Sequence, residues 1–209
     1  MKKLLGAAGI LGILGIIGMT SCVDHQVIPP PLPMVDLNCE CEALIDDSLV
    51  AYNDTCTYQS QKVISTSSPS EAQYFTNIQE ETMTQGLELE MRSVTWNDDG
   101  TNNPPLTVWE TFFNANTEPA YSTNIVDMGV VVRWTDPNLK VWTSDTVTVG
   151  NACAQNFTYE SFVLESDTTG DYMQFKAIFN GVLLNSDYGV VDSAKCIENA
   201  VVRSAFKLE

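Results

Sequence analysis

Histidine is nearly missing from these 209 residues, His25 being the only one. Ser–His–Asp and Cys–His hydrolysis need such a base beside a pocket. His25 lies in a proline-flanked N-terminal stretch, so this reading excludes both chemistries. Positive charge is scarce as well: 10 Lys and Arg stand against 27 Asp and Glu, a net charge of −17. A body this acidic repels phosphate backbones and anionic headgroups, which excludes nucleic acid as a partner and a basic patch as a membrane anchor. Phosphate-cradling glycine loops and dinucleotide fingerprints are absent. No CxxC pair is present, so the zinc spacing is missing and no cofactor is expected.

Cysteine is present, with an informative distribution. Besides Cys22, the chain has Cys39, Cys41, Cys56, Cys153 and Cys196. An odd number leaves at least one thiol unpaired. Cys39 and Cys41 are too close along an extended chain to join each other. The spacing favours one local bridge, from Cys39 or Cys41 to Cys56, and one longer bridge, Cys153–Cys196. Such bridges persist in an oxidising compartment.

The first twenty-two residues fit export. Lys2 and Lys3 precede an apolar run, Leu4–Met19, of about 16 residues, short of the roughly 20 that span a bilayer. Met19-Thr20-Ser21-Cys22 follows, with small residues before a cysteine. This resembles the signal of bacterial lipoproteins. The resemblance implies cleavage before Cys22, acylation of its thiol and new amino terminus, and a lipid anchor in the cell envelope. The expected location is the outer membrane of a Gram-negative bacterium, with the face left open. The expected organisation is a signal peptide over 1–21, a lipidated cysteine and Pro-rich tether over 22–38, and one β-domain over 39–209. Pro29-Pro30-Pro31-Leu32-Pro33 favours an extended spacer.

Along the body, Glu42–Tyr52 has Leu44, Ile45, Leu49 and Tyr52 near helical spacing and is expected as a short helix. Residues 71–83 fit a helix capped by Ser70 or a strand. From Gly86 the pattern is period two, with Leu87, Leu89 and Met91 alternating with Glu88, Glu90 and Arg92. Leu106–Asn114 fits a helix face through Leu106, Trp109 and Phe113, opened by two prolines. Hairpins are expected at 129–149 around Asp136-Pro137-Asn138, and at 157–184 around Asp167–Gly170. Ala200–Leu208 supplies a last strand, with Val202, Phe206 and Leu208 inward. The fold expected is mainly β: an antiparallel β-sandwich, Ig-like or jelly-roll-like, with one or two short helices.

The stretches Gly129–Asn138, Val141–Ser144 and Phe175–Leu184, with the terminal strand, resemble small envelope lipoproteins of polysaccharide-degrading Gram-negative bacteria. That resemblance implies a β-sandwich and no activity. Asp47-Ser48-Leu49, Asp145-Thr146-Val147, Asp167-Thr168-Thr169 and Asp192-Ser193-Ala194 resemble a bacterial O-glycosylation motif.

Few residues carry a chemical hint. Glu88, Glu90, Glu110 and Glu160 lie beside strands, where a glycosidase would need two facing carboxylates. Asp98 and Asp99, with Asn102 and Asn103, offer oxygens to Ca²⁺ only weakly, as do Asp167 and Asp171; neither loop has the spaced Asp-x-Asp-x-Asp-Gly pattern. Trp134 and Trp142 sit at equal distances from one turn. They are candidates for a platform that stacks on sugar rings, although their register also suits a core. The functional expectation is a lipid-anchored, non-catalytic binding or accessory module whose partner is a glycan or another envelope protein. The alternatives are a glycan-active enzyme with paired carboxylates and a purely structural surface component.

Overall fold

Alternation of buried and open side chains dictates most of the architecture. The structure, a computed structural model, describes residues 34–65, 69–82, 84–97, 103–122, 127–144, 153–187 and 190–208. Cys22, the signal, the tether up to residue 33, Asp98, Asp99 and the Asp145 motif lie outside them. The strands are β1 (Glu40–Ile45), β2 (Ser48–Tyr52), β3 (Thr55–Val63), β4 (Ser70–Gln79), β5 (Gly86–Trp96), β6 (Gly129–Thr135), β7 (Val141–Ser144), β8 (Asn156–Asp167), β9 (Gly170–Asp187) and β10 (Val190–Leu208). One helix, α1 (Leu106–Ala115), falls between β5 and β6. The described residues all belong to the compact unit Leu32–Glu209.

All ten strands pair antiparallel in one open sheet of order β2-β1-β10-β9-β7-β6-β5-β4-β3, with β8 also on β9. The mainly β, antiparallel expectation is therefore met, while a sandwich of two sheets is not confirmed. Continuity comes from the length of β9. Its first part pairs with β8, and Leu183 and Leu184 near its end pair with β7.

The sheet turns back on itself across a shared core. Thr76 on β4 and Ser204 on β10 share a buried 2.6 Å hydrogen bond between their hydroxyls. In β4, Ser70, Ala72, Tyr74, Thr76 and Ile78 are buried and their neighbours half-buried, so residues 71–79 follow the strand alternative rather than the helix. The helix expected over Glu42–Tyr52 is instead the β1–β2 hairpin. Asp46 and Asp47 take φ of 48° and 63°, the left-handed pair that a two-residue hairpin turn requires. Asp46 is fixed there because its carboxylate accepts the Cys196 amide at 3.0 Å and Lys195 Nζ at 2.6 Å.

Helix α1 supplies the fill at one end of the core. Pro105 stands at its N-cap, as the two prolines suggested. Trp109 and Phe113 are its buried residues. Phe113 lies 5.2 Å from Phe206 of β10, stacked, and 5.2 Å from Phe162 of β8. Trp109 lies 5.6 Å from Tyr74 of β4. Phe175 and Tyr159 complete this aromatic group.

Two disulfides staple the body, and both agree with the expected pairing. Cys39–Cys56 joins the chain just before β1 to β3, with Cα atoms 6.1 Å apart. Cys153–Cys196 ties the approach to β8 onto β10, with Cα atoms 5.7 Å apart. Among the described residues Cys41 is the remaining thiol, and it is buried. Burial, with the Glu42 charge second, pushes its pKa up to about 12, so it stays protonated and inert. Disulfides are the mark of an oxidising, non-cytoplasmic compartment. Among the described residues, no helix is long and apolar enough to cross a membrane.

Candidate functional site

Trp134 and Trp142 are cross-strand partners on β6 and β7, as their equal spacing from the turn suggested. Their ring centroids are 6.3 Å apart. The open platform for sugar stacking is not formed, because the two residues are only 6% and 5% exposed. Each indole N–H is engaged in the interior. Trp134 Nε1 donates to Tyr52 Oη at 2.9 Å and Trp142 Nε1 to Asp136 Oδ2 at 3.1 Å. Lys195 Nζ lies 4.9 Å from the Trp142 ring centroid, a cation–π contact over that face. The period-two register of Val130, Val132 and Trp134, all buried, explains why the core claims them.

Asp136 organises this end. It is 6% exposed, and its Oδ1 accepts the amides of Asn138 at 2.8 Å and Lys140 at 3.0 Å. Burial alone would raise its pKa. The Lys140, Trp142 and Asn138 donors outweigh that and hold the carboxyl below its usual range. The turn they stabilise puts Leu139 at φ 63° with its side chain 64% exposed.

A cleft of about 480 Å³ opens beside this pair. One wall is β2, from Ser48 to Tyr52, and the other includes Glu80, Gln85 and Pro137. Trp134 reaches it, and Lys195 and Asp46 stand on its lining as an ion pair. Glu80 is half-buried. Hydrogen bonds from Thr82 and Thr84, both 2.5 Å, lower its pKa and keep it ionised. The cleft thus combines an aromatic base, a strand edge and carboxylates.

Sequence reasoning missed Tyr52, Asp46, Glu80 and Lys195 as site residues. The adjacent acids Asp46-Asp47 between apolar alternations were the available signal for a turn. The periodic Leu44, Ile45, Leu49 and Tyr52 masked it.

The enzymatic candidates have other employment. Glu90 is 1% exposed. It accepts Arg92 Nε at 2.5 Å on Oε1 and Arg133 on Oε2 at 2.5 Å. Glu88 accepts the other Arg133 nitrogen at 2.5 Å. Two carboxylates and two guanidiniums therefore form one network on β5 and β6, which explains how Glu90 and Arg92 tolerate burial. Glu160 pairs with Lys176, and Glu110 is exposed on α1. Asp167 accepts the Thr169 hydroxyl and the amides of Val35 and Thr169, which bring its pKa down to about 2. Asp171 accepts from Ser166. Among the described residues, no cluster of His, Cys, Asp or Glu is arranged to hold a metal ion.

Two further depressions are polar grooves of about 550 and 300 Å³. In the larger, Tyr121 Oη donates to the Asn180 carbonyl at 2.8 Å. Gly181 permits that approach, since a Cβ there would meet Tyr121 Oη at 2.9 Å. Its hydroxyl therefore serves the fold. Comparison with protein-family models, curated proteins and solved structures finds no match to this chain.

Proposed function

We propose that the chain is a lipid-anchored envelope protein whose β body serves as a non-catalytic binding module. The cleft along β2 takes the ligand, and acyl chains on Cys22 hold the body at a Gram-negative outer membrane. The observation that carries this reading is the cleft itself. It lies at an open strand edge, is backed by Trp134 and Tyr52, and has a volume within the roughly 300–1,000 Å³ of ligand sites. Supporting it, Glu88 and Glu90 are engaged by Arg92 and Arg133 rather than facing each other across a gap. The disulfides accord with export. The meeting of β4 and β10 across the core supports the sandwich reading of the fold.

The test has two arms. In a Gram-negative host, the full chain should carry acyl mass at Cys22 and partition into detergent, and Cys22→Ala should remain unacylated. A wild-type chain with its leader intact and no acyl mass defeats the anchor. In the second arm, oligosaccharides and extended peptides are titrated against the full chain while resonances of Tyr52 and Trp134 are followed. At least one class should shift them. Turnover of a glycan that is lost in Glu88→Gln or Glu90→Gln would replace the binding module with an enzyme.

A further inference from the structure

Both ends of the open sheet present an edge, but only one is protected. β3 carries Lys62 and is stapled through Cys56. β2 reads Ser-Leu-Val-Ala-Tyr, with no lysine, proline or bulge, the usual devices that stop an edge from accepting another strand. Among the described residues its only strand neighbour is β1. Ile45 and Ser48 close the two-residue turn, so alternation along the antiparallel pair points the backbone N–H and C=O of Leu49 and Ala51 off the free edge. Leu49 is 66% exposed. These groups border the cleft.

The facing turn carries a second signal. Leu139 occupies a left-handed position that glycine or asparagine normally takes, and it shows an apolar side chain to water. Both features disfavour the free protein. They fall on the turn that lends Pro137 to the cleft. Such strain concentrates at ligand clamps.

Charge selects the occupant. Lys195 is paired with Asp46, no Lys or Arg among the described residues pairs with Glu80 on the lining, and Asp47 stands at one end of β2 and Asp54, which accepts the Glu81 amide, at the other. A second copy, itself at −17, is repelled. We propose that an extended peptide segment bearing lysine or arginine adds to β2 as a further antiparallel strand. It bonds to Leu49 and Ala51 and seats an apolar side chain between Leu49 and the Pro137–Leu139 turn. This deepens the cleft reading and rests on it.

The test uses the full chain in non-ionic detergent with three probes: an alternating Lys–Val decapeptide, its Glu–Val counterpart, and the Lys–Val peptide N-methylated at alternate residues. The Lys–Val peptide should slow amide exchange at Leu49 and Ala51 by about tenfold or more and bind at least about tenfold more tightly than the other two. Ala51→Pro removes an outward N–H and no internal bond, so it should fold and lose about tenfold in affinity. Leu139→Gly should weaken binding while raising Tm by about 2–4 °C. Lys–Val binding without protection at 49 and 51, equal binding of the Glu–Val peptide, or no peptide binding overturns strand addition. If an oligosaccharide then shifts Tyr52 and Trp134, the binding module survives without it. If nothing shifts them, both fall.

Discussion

The two ends of the core are built on different terms. Under α1, aromatic rings fill space: Phe113, Phe162, Phe175, Phe206 and Tyr159 stack or meet edge to face. The buried Tyr159 Oη there lacks a partner among the described residues. At the cleft end, each aromatic polar group is matched, Trp134 with Tyr52 and Trp142 with Asp136. Apolar area suffices to hold the first end even with an unpaired hydroxyl, because burial is not directional. The second end needs directed bonds, because it must keep a strand edge and a cleft open to water. The end with matched polar groups is also the end where the proposed binding cleft lies.

That contrast can be broken experimentally, and the largest effect belongs to the packed end. Phe113→Ala should cost about 3–5 kcal/mol in urea unfolding and leave the Tyr52 and Trp134 resonances unmoved. A shift at those residues would mean that the two ends are one cooperative packing unit. Next comes the staple that joins β1 and β3 at the back of the sheet. Cys39→Ser with Cys56→Ser should cost about 3 kcal/mol and speed amide exchange in β3 before β2.

Paired hydroxyl deletions sharpen the contrast most directly. Tyr52→Phe leaves Trp134 Nε1 without its acceptor and should cost about 1–2 kcal/mol. Tyr159→Phe removes an unpaired buried hydroxyl and should be neutral or stabilising by thermal melting. Equal losses in both variants would erase the distinction between the ends.

The smallest effect is with acid. Asp136 and Asp167 have folded pKa values below the unfolded value of about 3.9. Their contribution is therefore full above about pH 4 and lost as pH falls toward 2. The Val35 amide, which donates to Asp167, should be released first to exchange in that window. Asp167→Asn should show the same release at neutral pH.

Much of the fold was legible. β5, β6, β8, β9 and β10 announced themselves by period two and by turns at Asp136-Pro137-Asn138 and Asp167–Gly170, because a half-buried strand must alternate. The Cys153–Cys196 bridge was expected from the spacing, while Cys39 and Cys41 stood as alternative partners of Cys56 until the fold chose Cys39. The β1–β2 hairpin was misread because Leu44, Ile45, Leu49 and Tyr52 satisfy a helix repeat, and a two-residue turn erases the phase that would distinguish it. The site was far less legible. Asp46 and Tyr52 share one hairpin, but Glu80, Trp134 and Lys195 come from three other stretches, and no local pattern links the four.

By itself the sequence determined an acidic, disulfide-linked, antiparallel β body, since alternation, charge and thiol chemistry act over a few residues at a time. Tertiary structure alone decided that Trp134 and Trp142 are interior, that Glu90 is neutralised by two arginines, and that β2 is left with a free edge. Those outcomes depend on which distant strands meet when one long sheet folds over its own core.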